Sequence, residues 1–107
     1  MTTASDELRV CANGDIFRIA NGTYVKPFPD DLGYLTVEIS GEEYYVHDMV
    51  CMSFHGAMPS DKPYVNHING KLTDNRAANL EWTDRHIPTR REVVVSPSPQ
   101  FQHDNKN

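Results

Sequence analysis

The residue best suited to catalysis in this chain is His67, which lies in the apolar, β-branched run of residues 64–68. An imidazole held on a strand can act as a general base, because its pKa lies near neutral pH. Asn75 and Asn79 follow it, and side-chain amides can orient an imidazole or offer a neutral oxygen to Mg²⁺ or Mn²⁺. The nearby cationic side chains that can hold a phosphodiester are Lys71, Arg76, Arg85, Arg90 and Arg91. These residue types favour metal-assisted hydrolysis of a nucleic-acid strand. The alternative is that His67 and the amides have structural roles only.

A second set of metal-binding residue types is the row His47, Cys51 and His55, at four-residue steps. The same spacing among neighbouring apolar residues predicts a short helix over residues 46–55. The row spans about 12 Å on a straight helix, so two of its members can share an ion and all three cannot. The alternative is that His47 packs or caps where a strand meets the helix. The other cysteine is Cys11, and the absence of a Cys-x-x-Cys pair argues against a structural zinc site.

The elements that must position His67 are a strand, a turn and a second strand. The turn falls at the Asn-Gly pair of residues 69–70, and the second apolar run ends at Trp82. A closing helix is expected next. It is either very short and capped at residues 83–84, or it begins near Pro88, since proline suits the first turn of a helix.

Upstream of this hairpin, the sequence predicts further antiparallel strands. Asn-Gly pairs at residues 13–14 and 21–22 are typical of type I′ turns and predict a three-stranded meander over about residues 8–26. After a proline-containing loop, the alternating residues 34–39 and a return at 43–46 predict a second hairpin. The alternation places Leu35, Val37 and Ile39 on one face of the strand and Tyr34, Thr36 and Glu38 on the other.

Together these elements predict an α+β fold, in which a small β-rich module is followed by a short helix and a ββα region. The predicted segments are a flexible N-terminus at 1–7, the β-rich module at 8–46, the ββα region at 47–92 and an unpacked polar tail at 93–107. No apolar run approaches the length of a membrane span, and no basic-then-apolar signal opens the chain. A cytoplasmic protein is therefore expected.

The charge of −5 is unevenly distributed along the sequence. Residues 1–50 carry three basic and nine acidic side chains, whereas residues 62–91 carry six basic and three acidic ones. A phosphate-bearing partner such as DNA is therefore expected to meet the C-terminal half, unless these charges form an ordinary solvated surface. The acidic first half is better suited to a protein partner.

Residues 44–82 resemble the HNH endonuclease superfamily, in the branch found in phage and intron-encoded homing endonucleases. The residues that carry the resemblance are Val46-His47, Val50, Phe54, Lys62-Pro63, Val65-Asn66-His67-Ile68, Gly70-Lys71, Asn75-Arg76 and Asn79-Leu80-Glu81-Trp82. Residues 8–46 are similar to the small β-rich module that precedes such motifs. The resemblance implies metal-dependent hydrolysis of DNA phosphodiester bonds.

The same resemblance implies a role for individual residues. His67 would be the general base, Asn79 would fix the loop and orient that base, and Asn66 would stand at a metal-ligand position. The last metal ligand would come nine residues after Asn79, where this chain has Pro88; His86 is the nearest side-chain donor. This departure leaves an alternative function, in which an HNH scaffold without its metal site binds DNA or inhibits a host protein.

Overall fold

The computed structural model describes residues 7–88, together with the backbone of residues 101–103. In this part of the chain, nine strands, one α-helix and one turn of 3₁₀ helix form an α+β fold, as the sequence predicts. The elements are β1 (Leu8–Val10), β2 (Ile16–Arg18), β3 (Thr23–Tyr24), β4 (Phe28–Pro29), β5 (Leu35–Ile39), β6 (Glu42–Tyr45), α1 (Val46–His55), β7 (Tyr64–His67), the 3₁₀ turn Ala77–Asn79, β8 (Leu80–Thr83) and β9 (Phe101–His103).

The described strands form three small sheets, ordered β3-β2-β1-β9, β4-β5-β6 and β7-β8. The predicted meander is confirmed, since β1 pairs antiparallel with β2 and β2 with β3. The predicted second hairpin is confirmed by the antiparallel pairing of β5 with β6. Strand β4, a two-residue strand within the predicted proline-containing loop, adds to the edge of β5.

The turns of the meander differ from the predicted type I′ geometry, which needs positive φ at both central residues. Gly14 and Gly22 have φ values of 99° and 70°, but neither preceding asparagine has a positive φ. The Asn13 side chain instead accepts a hydrogen bond from the Asp15 amide at 2.9 Å, so its amide oxygen stabilises the turn by a side-chain contact. Positive φ at two successive residues occurs in the β5–β6 turn, at residues 40–41.

Helix α1 has the predicted bounds and lies at the centre of the core. It begins where the extended backbone of Tyr45 ends and stops at Gly56, whose φ of 90° leaves the helix in a conformation that glycine adopts readily. Met49, Val50 and Cys51 are at most 1% exposed. The buried apolar residues packed around the helix come from all three sheets: Leu8, Val10, Ile16, Val37, Ile39, Val65 and Leu80. Burial of this helix therefore holds the β-rich module and the β7–β8 hairpin together.

Strand β5 is buried more fully than a simple alternation predicts. Val37 and Ile39 are buried on the expected face, but Tyr34 and Thr36, expected on the opposite face, are only 6% and 4% exposed. The Tyr34 ring packs between other rings instead of facing water. Both faces of the strand are therefore covered where it starts.

Two predictions about the C-terminal part need correction. Residues 84–88 contain no helix, so a helix capped at residues 83–84 is wrong, and a start near Pro88 would continue into residues outside the described ones. The expected unpacked tail at 93–107 includes strand β9, which pairs parallel with β1. Because β2 covers only one edge of β1, the other edge is open to pair with an extended segment. The other residues of the tail, and those of the expected flexible N-terminus before Glu7, lie outside the described residues.

Among the described residues, no helix is long and apolar enough to cross a membrane.

Candidate functional site

His67 is the last residue of β7, and its side chain points inward. The side chains alternate along the strand, so Val65 and His67 are buried while Tyr64 and Asn66 are partly exposed. The chain turns directly after the strand, where the Gly70 amide donates to the His67 carbonyl at 2.9 Å. His67 is 6% exposed, which places its ring at the edge of the core.

The imidazole of His67 is held by Asn75. Its Nε2–H donates to Oδ1 of Asn75 at 2.7 Å, and the Asn75 side chain is only 4% exposed. An amide oxygen can only accept, so in the neutral ring the proton lies on Nε2 and the basic lone pair on Nδ1. This contact fixes both the tautomer and the orientation of the ring.

The environment of His67 keeps the imidazole neutral. Burial lowers its pKa below the ordinary value of 6.5, and this effect outweighs the Asn75 hydrogen bond and the nearby charge of Asp74, both of which act to raise the pKa. A neutral ring with a lone pair on Nδ1 can accept a proton at neutral pH. This arrangement has the chemical properties that a general base needs.

A cluster of aromatic rings from the β-rich module lies behind His67. The ring of His47, near the start of α1, meets His67 edge to face with centroids 5.2 Å apart and stacks on Tyr45 at 4.8 Å. Tyr34 lies 5.1 Å from His47 and 6.1 Å from His67. Asp30 anchors the cluster, since it accepts a hydrogen bond from the Tyr45 hydroxyl and one from the Tyr34 amide. His47 is thus a packing residue behind the site.

The loop between β7 and β8 is braced by Asn79. Its Nδ2 donates to Oδ1 of Asn69 at 3.0 Å and to the Asp74 carbonyl at 2.9 Å, and its Oδ1 accepts from the Asn69 amide at 3.0 Å. The resemblance to the HNH superfamily implies that Asn79 both fixes the loop and orients His67. Among the described residues the two tasks are divided, because Asn75 makes the contact with the imidazole.

The β1–β2 loop supports the same segment from the other side. The Ala77 amide donates to the carbonyl of Ala12 at 2.8 Å. Gly14 lies so close to Asn75 that a Cβ at this position would come within 3.0 Å of the Asn75 carbonyl oxygen. The β-rich module therefore contacts the residue that orients His67.

Asn66 lies on the outer face of β7 and joins two charged residues. Its Nδ2 donates to Oε2 of Glu81, the cross-strand neighbour on β8, at 2.8 Å. Its Oδ1 accepts from Nη2 of Arg85 at 2.9 Å. The Arg85 amide in turn donates to the Thr83 hydroxyl at 3.1 Å. The only oxygen of the Asn66 side chain therefore faces a guanidinium.

The remaining basic residues named from the sequence have varied surroundings. Arg76 is paired with Asp74 through two contacts of 2.8 Å, which lower the pKa of that carboxyl and neutralise the arginine's charge locally. Lys71 is exposed beside the same loop. Arg90 and Arg91 lie outside the described residues.

The row on helix α1 does not form a metal site. His47 is held in the ring cluster, Cys51 is fully buried, and Nε2 of His55 contacts the Ala77 carbonyl at 2.8 Å. Burial, with the charges of Asp48 and Glu81, raises the pKa of the Cys51 thiol to about 12, so without a bound ion this thiol is protonated at neutral pH.

A model of the HNH endonuclease family matches residues 44–87, which include α1, the β7–β8 hairpin and the His67 site. This part of the chain, residues 44–87, belongs to the HNH endonuclease superfamily.

Two viral HNH proteins and one solved structure are similar to this chain. One uncharacterised HNH endonuclease of Acanthamoeba polyphaga mimivirus is 31% identical over 102 residues, which cover 86% of this chain and 31% of that protein. A second from the same virus is 41% identical over 56 residues, covering 47% of this chain and 14% of that protein. The chain therefore spans less than a third of the length of either relative.

The solved structure, of the HNH homing endonuclease I-HmuI in a study of DNA binding and cleavage, has a TM-score of 0.60 at 24% identity. The match covers 67% of this chain and 43% of the homing endonuclease, and it shows that the two folds are similar.

HNH proteins generally use a divalent metal ion, so the residues at the implied metal position can be tested for fit. Asn66 has its only side-chain oxygen bound to Arg85, and Pro88 has no donor. The exposed ring of His86 lies edge to face with Tyr64 at 5.1 Å. Within residues 7–88, no group of three or more His, Cys, Asp or Glu residues could hold a metal ion. These residues, as they are arranged, do not fit a divalent metal.

Sequence reasoning named Asn75 only as one of two amides that can orient the imidazole, and it did not identify the contact of Arg85 with Asn66. The Asn75-Arg76 pair of the HNH motif pointed to Asn75 as a residue of the site. An amide in a polar loop is more often bonded to the backbone, so the pair alone did not predict a contact with His67. The Arg85 contact with Asn66 had no signal, because it depends on how the chain turns after β8. Both contacts involve the two residues at the centre of the motif.

Proposed function

We propose that this chain carries the nucleolytic site of an HNH-type endonuclease, which hydrolyses phosphodiester bonds in DNA with His67 as the general base. The observation that carries the proposal is the buried hydrogen bond from His67 Nε2 to Asn75, because it leaves Nδ1 as the basic atom of a neutral ring. Membership of the HNH superfamily and the mimivirus relatives support the reaction class. The fold shared with a DNA-cleaving homing endonuclease supports DNA as the substrate.

In this reaction His67 Nδ1 takes a proton from a water molecule as the water oxygen attacks phosphorus. The bond from phosphorus to the leaving sugar oxygen breaks, and that oxygen takes a proton from solvent. Asn75 holds the ring in place throughout, so orientation is not lost when the imidazole becomes charged. The cations on the exposed side, Lys71 and Arg85, are suited to hold the negatively charged phosphodiester.

A plasmid-nicking assay tests the proposal. Supercoiled DNA is incubated with wild-type protein, His67→Gln and His55→Gln, each in Mg²⁺, in Mn²⁺ and in EDTA. Glutamine can still donate to Asn75 but cannot act as a base, so His67→Gln is expected to lose about two to four orders of magnitude in rate. His55→Gln changes an exposed histidine of α1 and controls for contaminating nuclease. Equal nicking by wild type and His67→Gln in every buffer would refute His67 as the base.

A second function is favoured by the occupied oxygen of Asn66, which removes a ligand from the implied metal position. In this alternative the HNH scaffold binds DNA, or a protein partner of the acidic first half, without hydrolysis. Gel-shift binding of a DNA duplex by a folded protein that nicks no plasmid in any buffer would support it. Nicking that depends on His67 would exclude it.

A further inference from the structure

The contacts of Asn66 point to an arginine at the place where HNH proteins use a divalent metal. We propose that Arg85 supplies the positive charge at this site and that its guanidinium binds a non-bridging oxygen of the DNA phosphate. The inference rests on the proposed function, since it names what that site uses to hold its substrate.

The first step is the chemistry of the bridge between Glu81 and Arg85. A carboxylate can only accept hydrogen bonds, and a guanidinium can only donate them. A group placed between the two must donate on one side and accept on the other, and Asn66 does so at 2.8 Å and 2.9 Å. An aspartate at residue 66 would repel Glu81 and could not donate to it. Asparagine at residue 66 can therefore bridge Glu81 and Arg85, and aspartate cannot.

The second step concerns how Arg85 is held. Its own amide donates to Thr83 Oγ1 at 3.1 Å, which fixes the turn directly after β8. Its Nη2 donates to Asn66, whose orientation is set by Glu81 on the same face of the hairpin. A guanidinium carries five N–H donors in a planar fork, so one bond to Asn66 leaves the others for a phosphate. Arg85 is exposed, so a phosphate can approach its side chain from solvent.

The third step is a comparison with Arg76, which also lies in the hairpin region and is exposed. Arg76 makes two contacts of 2.8 Å to Asp74, so its charge is already paired with a carboxylate. Arg85 is bonded to a neutral amide oxygen. Its positive charge is therefore less compensated than that of Arg76, and a phosphate gains more from the contact.

The fourth step is the effect of this arginine on a metal ion. A divalent cation bound at the Asn66 oxygen would lie next to a guanidinium, and like charges repel. The carboxylate closest to that oxygen in the network is Glu81, which already accepts from the Asn66 amide. The described residues thus favour an arginine over a metal at this position.

The experiment measures DNA binding by fluorescence anisotropy in EDTA, with a short labelled duplex at several salt concentrations. The proteins are wild type, Arg85→Ala, Arg85→Lys and Arg76→Ala as the matched control. Arg85→Ala is expected to weaken binding by about tenfold to a hundredfold and to reduce the salt slope by about one, because one phosphate contact is lost. Arg85→Lys should keep the salt slope, and Arg76→Ala should lose several-fold less affinity than Arg85→Ala, because Arg76 is already paired with Asp74. Equal losses in Arg85→Ala and Arg76→Ala would overturn the proposal.

A second measurement tests the metal directly. Wild-type protein is titrated with Mn²⁺ alone, and bound metal is measured by the loss of the electron paramagnetic resonance signal of free Mn²⁺. No stoichiometric binding is expected. Stoichiometric binding that is abolished in Asn66→Ala would overturn the inference.

The nicking assay separates this inference from the proposed function. Nicking in EDTA that is lost in Arg85→Ala supports both. Nicking by wild type that requires Mg²⁺ or Mn²⁺ leaves the nuclease proposal standing and refutes the role of Arg85. If no buffer gives nicking, the nuclease proposal fails, while the anisotropy series still decides whether Arg85 holds a phosphate.

Discussion

Nε2 of His67 donates to Oδ1 of Asn75 across 2.7 Å, and both side chains are almost fully buried. Asn75 comes from the loop that returns the chain to β8, so this bond ties the end of β7 to that loop. Within the described residues the Nδ2 of Asn75 is buried without a hydrogen-bond partner. The amide thus tolerates one unsatisfied donor while its oxygen holds the imidazole.

Replacing Asn75 by alanine should destabilise the fold and disorder the imidazole. The buried Nε2–H of His67 would lose its acceptor, which costs about 1–3 kcal/mol. Urea unfolding measures this loss, and the exposed Asn21→Ala is the control. If Asn75→Ala were no less stable than Asn21→Ala, the hydrogen bond between His67 and Asn75 would not contribute to the stability of the fold.

The pKa of His67 should respond to charge at residue 75. Asn75→Asp places a carboxylate beside Nε2, and an opposite charge favours the imidazolium, so the pKa of His67 should rise. Nuclear magnetic resonance titration of the ring protons measures the pKa in both proteins. Nitrogen chemical shifts in the wild type should report the Nε2–H tautomer at neutral pH, and the Nδ1–H tautomer would contradict the assignment of Nδ1 as the basic atom.

The lowered pKa of His67 also predicts how stability changes with pH. Burial depresses the folded-state pKa below 6.5, so between these two values the unfolded chain binds a proton that the folded chain does not. The contribution of His67 to stability is therefore fully present above pH 6.5 and decreases as the pH falls toward the folded-state pKa. Below that value it stays constant.

This pH dependence is measured by urea unfolding at a series of pH values, with Asn75→Asp alongside the wild type. Because that substitution raises the folded-state pKa, it should remove much of the fall in stability just below pH 6.5. An identical pH profile in the two proteins would show that His67 is not its source.

The elements of this fold were predictable where one local pattern determines the structure. The four-residue stripe predicted helix α1 with its observed bounds, and the alternation over residues 34–39 with a return at 43–46 predicted the β5–β6 hairpin. The geometry of the Asn-Gly turns was not predictable, because Asn13 stabilises its turn by a side-chain hydrogen bond that the dipeptide alone does not reveal. Strand β9 was not predictable either, since its pairing depends on the open edge of β1.

The site was predictable as a set of residues but not as a set of contacts. The residue types pointed to His67 as the candidate base, and the resemblance to the HNH superfamily implied that Asn79 orients it and that Asn66 stands at a metal-ligand position. Which amide bonds the imidazole depends on the path of a polar loop, and the place of Arg85 depends on a turn after β8. Local sequence does not determine contacts of this kind, because residues distant in sequence form them.

Gly14→Ala should disturb the site from a distance, with Gly22→Ala as a matched control. Both glycines have positive φ, at which an alanine costs about 1 kcal/mol or more. A Cβ at residue 14 would also press on the Asn75 carbonyl, whereas no atom lies within 4 Å of one at residue 22. Gly14→Ala should therefore lose more stability in urea unfolding and shift the ring resonances of His67. Equal losses and unchanged His67 resonances would mean that the β1–β2 loop does not support Asn75.

The two cysteines should differ in their reactivity toward a thiol reagent. Only the thiolate reacts, and with a pKa of about 12 roughly one Cys51 side chain in ten thousand is ionised at about pH 8. Cys51 is also 0% exposed in the core, whereas Cys11 is partly exposed. Native protein should therefore be labelled at Cys11 first, and Cys11→Ser should be labelled only as fast as the chain unfolds. Mass spectrometry with increasing urea measures both rates. Fast labelling of native Cys11→Ser would show that the helix row is accessible and would reopen Cys51 as a metal ligand.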